Sequence, residues 1–171
     1  FDGLLHSIAF ADKTDLDNPF IQTTRDGFKL ALEVSAFSLI AVSKAAAPLM
    51  NDGGSVVTMT YMGSERVVPH YNVMGVAKAA LESSVRYLAP DLGERGIRVN
   101  AISAGPIKTL AAAGIPKFRE LLAQFAETAP LKRNVSLEDV AQSTLYLLSP
   151  MSSGVTGEVH YVDCGFNVMG L

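Results

Sequence analysis

Short apolar runs alternate with longer apolar stripes along this chain. Residues 4–9 form an apolar run that closes on Ser7-Ile8-Ala9-Phe10-Ala11, a pattern that predicts a buried strand. Residues 12–18 are polar and are followed by Pro19, which predicts a loop. Thr23, with Asp26 three residues on, predicts a capped helix start. That helix runs through Phe28, Leu32, Phe37, Ile40 and Ala47 to about Met50. It is apolar on nearly every face, so it is expected to lie between the sheet and a partner. Asp52-Gly53-Gly54 predicts a turn, and residues 55–60 the next strand. A second helix is expected from Asn72 to about Leu92, with Ala77, Leu81, Val85 and Leu88 on one stripe and Pro90 placed to kink or stop it. After Gly96, residues 97–102 predict a third strand. Ser136 with Asp139 predicts a cap for a helix through Val140, Leu145 and Leu148, and residues 158–162 a last strand.

Every connection between these strands is too long for a hairpin, which predicts parallel pairing with helices on both faces. Repeats, low-complexity tracts and an interdomain linker are absent from the sequence, so residues 1–171 read as one α/β domain with a doubly wound parallel sheet. With 171 residues, 49% of them hydrophobic, the chain can bury one core. A net charge of −3 and scattered Lys and Arg argue against a nucleic-acid partner. A single cysteine, Cys164, excludes an internal disulfide and fits a reducing compartment. It reads as a small apolar filler, and no metal site is expected. No apolar run reaches the roughly 18–20 residues of a membrane span, and the N-terminus lacks a signal-peptide pattern. The chain opens almost inside a hydrophobic segment, from which a truncated start is expected.

The sharpest chemical feature is Tyr71, followed seven residues later by Lys78 at the start of the second helix. Seven helical residues turn through roughly 700°, which would place both side chains on one face, with Lys78 leaning back toward Tyr71. A phenol beside an ammonium can stabilise or protonate an oxyanion; burial raises its pKa and a nearby cation lowers it. Tyr61 falls just beyond the end of the second strand, and Ser7-Ile8 and Ser103-Ala104-Gly105-Pro106 also follow strand ends. Three strand ends and one helix start therefore aim polar groups at one crevice, where open parallel sheets bind ligands.

At these residues the chain resembles the NADH-dependent enoyl-acyl-carrier-protein reductases, a branch of the short-chain dehydrogenase/reductase superfamily. Tyr71-Asn72-Val73-Met74-Gly75-Val76-Ala77-Lys78 resembles their active-site motif, and Tyr61 their second tyrosine. Val99-Asn100-Ala101-Ile102-Ser103-Ala104-Gly105-Pro106-Ile107-Lys108-Thr109-Leu110-Ala111 resembles the stretch after their sixth strand. His6-Ser7-Ile8-Ala9-Phe10-Ala11 resembles their fourth-strand end, and Val155-Thr156-Gly157-Glu158 with Val162-Asp163 the closing strand of the superfamily. The commoner superfamily spacing would place the lysine at position 75, which is Gly75 here; six intervening residues and Tyr61 separate the enoyl reductases from keto-reducing relatives.

The resemblance implies a Rossmann-like sheet lacking its first three strand–helix units, NADH as cofactor, an acyl-carrier-protein-linked enoyl thioester as substrate, a homotetramer when complete, and a cytoplasmic location (plastid stroma in a plant). It implies that Tyr71 bonds the thioester carbonyl and its enolate, and that Lys78 holds the nicotinamide ribose. Tyr61 would line the acyl pocket. Ser7, Ile8, Ile107, Thr109, Leu110 and Ala111 would border the cofactor. Ala11, Met74, Ile115 and Phe118 would border the substrate. A glycine-rich turn after a first strand, needed for the pyrophosphate, is absent from the sequence given, so the rival expectation is a scaffold or oligomer subunit without redox chemistry. The family usually carries a small residue, often Gly, at the Cys164 position. The stretch from Ile107 to Gln124, with Gly114 and Pro116 ahead of an amphipathic segment at residues 118–123, is expected to act as a lid.

Overall fold

The computed structural model describes residues 1–107 and 118–170. Four strands, β1 (Gly3–His6), β2 (Ser55–Thr60), β3 (Arg98–Ala104) and β4 (Val159–Val162), pair in the order β1-β2-β3-β4, and every pair is parallel. The chain returns to the same end of the sheet between strands through helices, as parallel pairing demands. β2 and β3 are buried almost throughout, which is why they read as unbroken apolar runs rather than alternating ones. Val56 and Val57, neighbours on β2, enter two different cores. One packs Leu39, Ala46, Leu81, Val85 and Val99 on one face; the other packs Ile102, Phe125, Val140, Leu147 and Phe166 on the opposite face. The doubly wound α/β expectation holds.

The boundaries differ in instructive ways. The first strand stops at His6 rather than Ala9, and four residues on both backbone groups of Phe10 are held by the Ser35 hydroxyl instead of a neighbouring strand. The expected loop at residues 12–18 contains a short helix, α1 (Lys13–Asp17), capped by the Asp12 carboxylate, which accepts from the Thr14 N–H at 3.0 Å. The next helix is capped by Thr24, not Thr23. Thr24 Oγ1 accepts from the Gly27 N–H at 3.0 Å, whereas the Thr23 hydroxyl is spent on the Phe20 carbonyl.

From that cap the chain runs through α2 (Arg25–Leu32), a π-helical segment (Glu33–Phe37), α3 (Ser38–Ala46) and a 3-10 turn (Ala47–Leu49). Ala31, Ser35, Ala36, Leu39, Ser43 and Ala46 are its buried face. Phe28, Phe37 and Ile40 face outward, so the second long helix and the sheet cover one side and the other side is bare in a single chain. Taken whole, Arg25–Leu49 is long and apolar enough to cross a membrane by length and composition. Charged residues at Lys29, Glu33 and Lys44 interrupt it in sequence, which is why no apolar run announced it.

The long helix α4 (Val73–Gly93) begins at Val73 and continues three residues past Pro90. Pro90 removes the one ladder bond its N–H would make to the carbonyl of Arg86, and with only three residues beyond it the helix runs on without being stopped. Helix α5 (Phe118–Thr128) runs further than expected and is docked by Leu122 and Phe125; the Phe125 ring stacks on Phe166 at 3.7 Å. Helix α6 (Leu137–Leu148) carries the expected capping box: Ser136 Oγ accepts from the Asp139 N–H, and Asp139 accepts from the Ser136 N–H. The central part of the expected lid, residues 108–117, lies outside the described residues.

Arg98, at the start of β3, is buried. Its guanidinium donates to the carbonyls of Leu147 (2.8 Å) and Ser149 (3.1 Å) at the end of α6 and to the Ser152 hydroxyl. A buried guanidinium is tolerated only with such partners. Cys164 is also buried, with a backbone φ of 58°, a left-handed conformation that accounts for the small residue or glycine expected there.

Candidate active site

The parallel register sets the C-terminal ends of β1, β2 and β3 at one edge of the sheet, with His6 opposite Thr58 and Thr60 opposite Ser103. Tyr61 continues directly from β2 in extended backbone. Ser7 and Ile8 follow β1 and are exposed. Ser103 and Ala104 belong to β3 itself, so it is Gly105 that leaves the third strand.

Tyr71 does not lie on the helix. It occupies the turn before α4, between His70 (φ 62°) and Asn72 (φ 39°), so the two-turn helical spacing to Lys78 does not describe the geometry. What seats Tyr71 is a contact between glycines. Gly75, on the first turn of α4, has no room for a side chain: a Cβ there would lie 2.5 Å from the Gly63 carbonyl oxygen. A Cβ on Gly63 would in turn meet the Tyr71 ring. This close approach brings the Tyr61 and Tyr71 rings edge to face, with centroids 5.0 Å apart and an interplanar angle of 70°. It also shows why a lysine could not stand at position 75.

Burial pushes the Tyr61 phenol up to about 12. It raises Tyr71 further above the ordinary phenol range, with Tyr61 and the carboxylate of Glu82 adding to the effect. Lys78 does not offset this rise, contrary to the sequence expectation. Its ammonium, buried on α4, donates to the Met59 carbonyl at 2.8 Å, and burial lowers its pKa to about 8 against the opposing pull of Glu82. Tyr71 is thus a neutral hydrogen-bond donor across the physiological range, and Lys78 is mostly charged at pH 7.

Three buried groups beneath these residues were not singled out from sequence. Glu82, one helical turn beyond Lys78, accepts from Thr60 Oγ1 at 2.6 Å; the i,i+4 spacing was the available signal. His6 lies between the Thr58 hydroxyl (2.8 Å from Nδ1) and the Ser38 hydroxyl (2.9 Å from Nε2). The Ser38 proton is committed to the Val34 carbonyl, which assigns a hydrogen to Nε2, donating to Ser38 Oγ. Burial, and secondarily the charge on Lys78, lowers the His6 pKa. Ser35, in the π segment, ties Phe10 to the helix and touches the Met74 sulfur at 3.7 Å.

Of the other expected site residues, Met74 is buried on α4 and Ala11 packs, half-buried, against Ala31, Val73 and Ala77. Ile107 packs against the core on the α5 and α6 face. Thr109, Leu110, Ala111 and Ile115 lie outside the described residues, as does the side chain of Phe118, whose backbone opens α5.

A model of the enoyl-(acyl carrier protein) reductase family matches residues 1–167. The chain belongs to the enoyl-acyl-carrier-protein reductase family. It is 61% identical over 170 residues to enoyl-acyl-carrier-protein reductase (NADH) 1 of Rhizobium meliloti, covering 99% of this chain and 62% of that protein. It is 58% identical to the NADH-dependent FabI reductase of Rickettsia felis, again over 99% of this chain and 65% of the relative. The chain therefore spans somewhat under two thirds of the length of these curated relatives.

Among solved structures of enoyl-acyl-carrier-protein reductases, the Bacillus cereus enzyme, crystallised with NADP+ and an indole naphthyridinone, superposes with a TM-score of 0.98 at 53% identity. The match covers all of this chain and 66% of that one. The Anaplasma phagocytophilum enzyme in complex with NAD gives a TM-score of 0.95 at 49% identity over all of this chain and 65% of that one. Family membership and the solved structures thus agree with the parallel α/β architecture of this chain.

Proposed function

We propose that residues 1–171 act as one α/β unit that carries the substrate-facing half of an enoyl-acyl-carrier-protein reductase. It would reduce the α,β double bond of an acyl-carrier-protein-linked enoyl thioester with NADH. The observation that carries this reading is the Tyr61–Tyr71 pair at the strand ends, set beside a buried lysine with spare donors. Among the described residues Lys78 uses one of its three N–H groups, on Met59, which leaves two to bind the nicotinamide ribose hydroxyls. Ser7 and Ile8, open at the end of β1, provide a border for the ring, and Ile107, which follows β3, provides another. This fits NADH, which when bound supplies a hydride to the β-carbon of the enoyl group.

The chain's own groups then do three things. Tyr71, kept protonated by burial, donates to the thioester oxygen as it becomes an enolate, the task of an oxyanion hole. The α-carbon takes a proton from outside the chain to complete the reduction. Met74, buried on α4, and Ala11, packed against the core, give the acyl chain an apolar wall, and Tyr61 narrows the pocket at the thioester. The bare Phe28, Phe37 and Ile40 face of the long helix suits burial in a homotetramer. The sheet-packed, serine-bearing opposite face suits a water-soluble cytoplasmic enzyme rather than a membrane span.

The test is an assay of the complete protein for NADH oxidation by an enoyl thioester linked to acyl carrier protein. Turnover with the enoyl substrate and none with a keto thioester is expected. No NADH oxidation with either would favour the rival reading of a scaffold without redox chemistry.

A further inference from the structure

Asn72 is placed where an asparagine would ordinarily cap a helix, one residue before α4, yet its side chain makes no cap bond. The carboxamide turns the other way. Its nitrogen donates to the carbonyls of Asn18 at 2.8 Å and Leu16 at 2.9 Å, with the Asp15 carbonyl at 3.5 Å. These are carbonyls of the last turn and exit of α1, groups a helix C-terminus leaves without partners. The backbone that permits this is unusual: Asn72 has φ 39° and ψ −118°. An L-residue held there stores strain, and strain that persists is held by its surroundings. A glycine would adopt the conformation without strain and would make none of the bonds.

The middle of α1 is also tied through a side chain. The buried Asp15 carboxylate accepts from the Thr24 N–H at 2.9 Å, at the start of α2. Leu16 and Ala11 pack with Leu32 against Ala31, Val73 and Ala77. Helix α1 is therefore a short wall between the segment after β1 and the N-terminus of α4, and Asn72 is its link to the residue beside it, Tyr71. The Tyr71 phenol makes no hydrogen bond to a protein group among the described residues. Its place is set by ring packing and by the backbone of residues 70–72.

We propose that Asn72 is a positioning residue: its carboxamide, latched to the carbonyls of Leu16 and Asn18, holds Tyr71 at the thioester and fixes α1 as one wall of the acyl pocket. The assignment rests on the enoyl-reductase reading. It separates the jobs within the motif: Lys78 serves the cofactor, Tyr71 serves the thioester, and Asn72 sets the relation between Tyr71 and the pocket wall.

Asn72→Gly in the complete protein removes the amide and eases the backbone, so the two roles of the residue part company. The variant is expected to unfold at the same temperature as wild type or higher, while kcat/KM for the enoyl thioester falls several-fold, no further than in Tyr71→Phe, through misplacement of Tyr71. KM for NADH should stay unchanged. Asn72→Asp, which sets acceptors against carbonyls, should show the same kinetic loss together with a lower unfolding temperature. Asn72→Ser, with one short donor, should fall between wild type and Asn72→Gly. Folded Asn72→Gly or Asn72→Ser protein that reduces the thioester like wild type would overturn the proposal. So would an equal loss toward NADH and thioester that tracks only the folded fraction. A wild-type protein inert toward every enoyl thioester would instead remove the reading on which the proposal rests.

Discussion

The Ser35 hydroxyl accepts the backbone N–H of Phe10 at 2.9 Å and donates to the carbonyl of the same residue at 3.0 Å. One side chain in a π-helical segment thus satisfies both backbone groups of the residue that leads from β1 into the cleft. Widening the helix by one residue per turn is what brings Ser35 to face that segment; such bulges are frequent at functional sites. Ser35→Ala removes both part-buried bonds to Phe10, which costs roughly 0.5–1.5 kcal/mol each. Thermal unfolding should register that loss, and NADH titration should show weaker binding, because Ser7 and Ile8 lie on the loosened segment. Unchanged unfolding temperature and affinity would mean Phe10 needs no anchor.

Gly75→Ala tests the glycine contact. A methyl group at 2.5 Å from the Gly63 carbonyl cannot be accommodated without parting α4 from the turn after β2. We expect a destabilisation of roughly 1–3 kcal/mol, the usual penalty of overpacking. Separation of Tyr61 from Tyr71 should also lower turnover of the enoyl thioester. Wild-type kinetics and stability in Gly75→Ala would show that the contact has slack.

Tyr71→Phe and Lys78→Ala should fail in different ways. Losing the phenol removes a bond that strengthens as the enolate forms, so kcat falls while NADH binding is kept. Losing the amine removes ground-state contacts to the ribose, so the KM for NADH rises. The tyrosine effect should be modest, because positioning of the hydride donor is left intact. Steady-state kinetics with each substrate varied separates the two; exchanged patterns would reverse the roles.

Lys78 also makes a pH-dependent prediction. Its pKa is about 8 in the folded protein against an ordinary 10.5, so between those values the unfolded chain binds more protons than the folded one. Stability attributable to this group therefore rises with pH across that window, and below about pH 8 the full penalty of burying the charge is present. Lys78→Met should stabilise the unliganded protein at pH 7 by roughly 1–3 kcal/mol, net of the lost bond to Met59. The advantage should shrink as pH climbs from about 8 toward 10.5. Denaturant unfolding of both proteins across that range measures the difference directly, and a gap that widened with pH would contradict the assignment.

The strands and long helices were legible because burial writes itself into sequence as apolar runs and stripes. Residues 55–60 form the strand their pattern predicts, and Ser136 with Asp139 forms the expected cap because both bonds are local. Tyr61, Tyr71 and Lys78 were legible as a motif, but the geometry that joins them was not. Gly63 and Gly75 look like ordinary punctuation until the two backbones meet. Ser35 and His6 carry the site from beneath as single polar residues in apolar surroundings, and their partners lie 25 to 52 residues away in sequence. The helix at α1 escaped notice because five residues offer too little periodicity, and its stability comes from Asp12, Asp15 and Asn72 rather than from its own pattern.

The clamp on Arg98 bears on how the chain comes off the ribosome. Each strand of the sheet pairs with its predecessor, so β2 and β3 can dock on an edge already made, in the order of synthesis. Arg98 enters the growing sheet with β3, but its carbonyl partners at Leu147 and Ser149 are translated about 50 residues later. Until then the guanidinium must stay hydrated, which holds the start of β3 open to water. Sealing of this layer therefore needs residues 147–152 in place, because they hold the partners that let the guanidinium leave water.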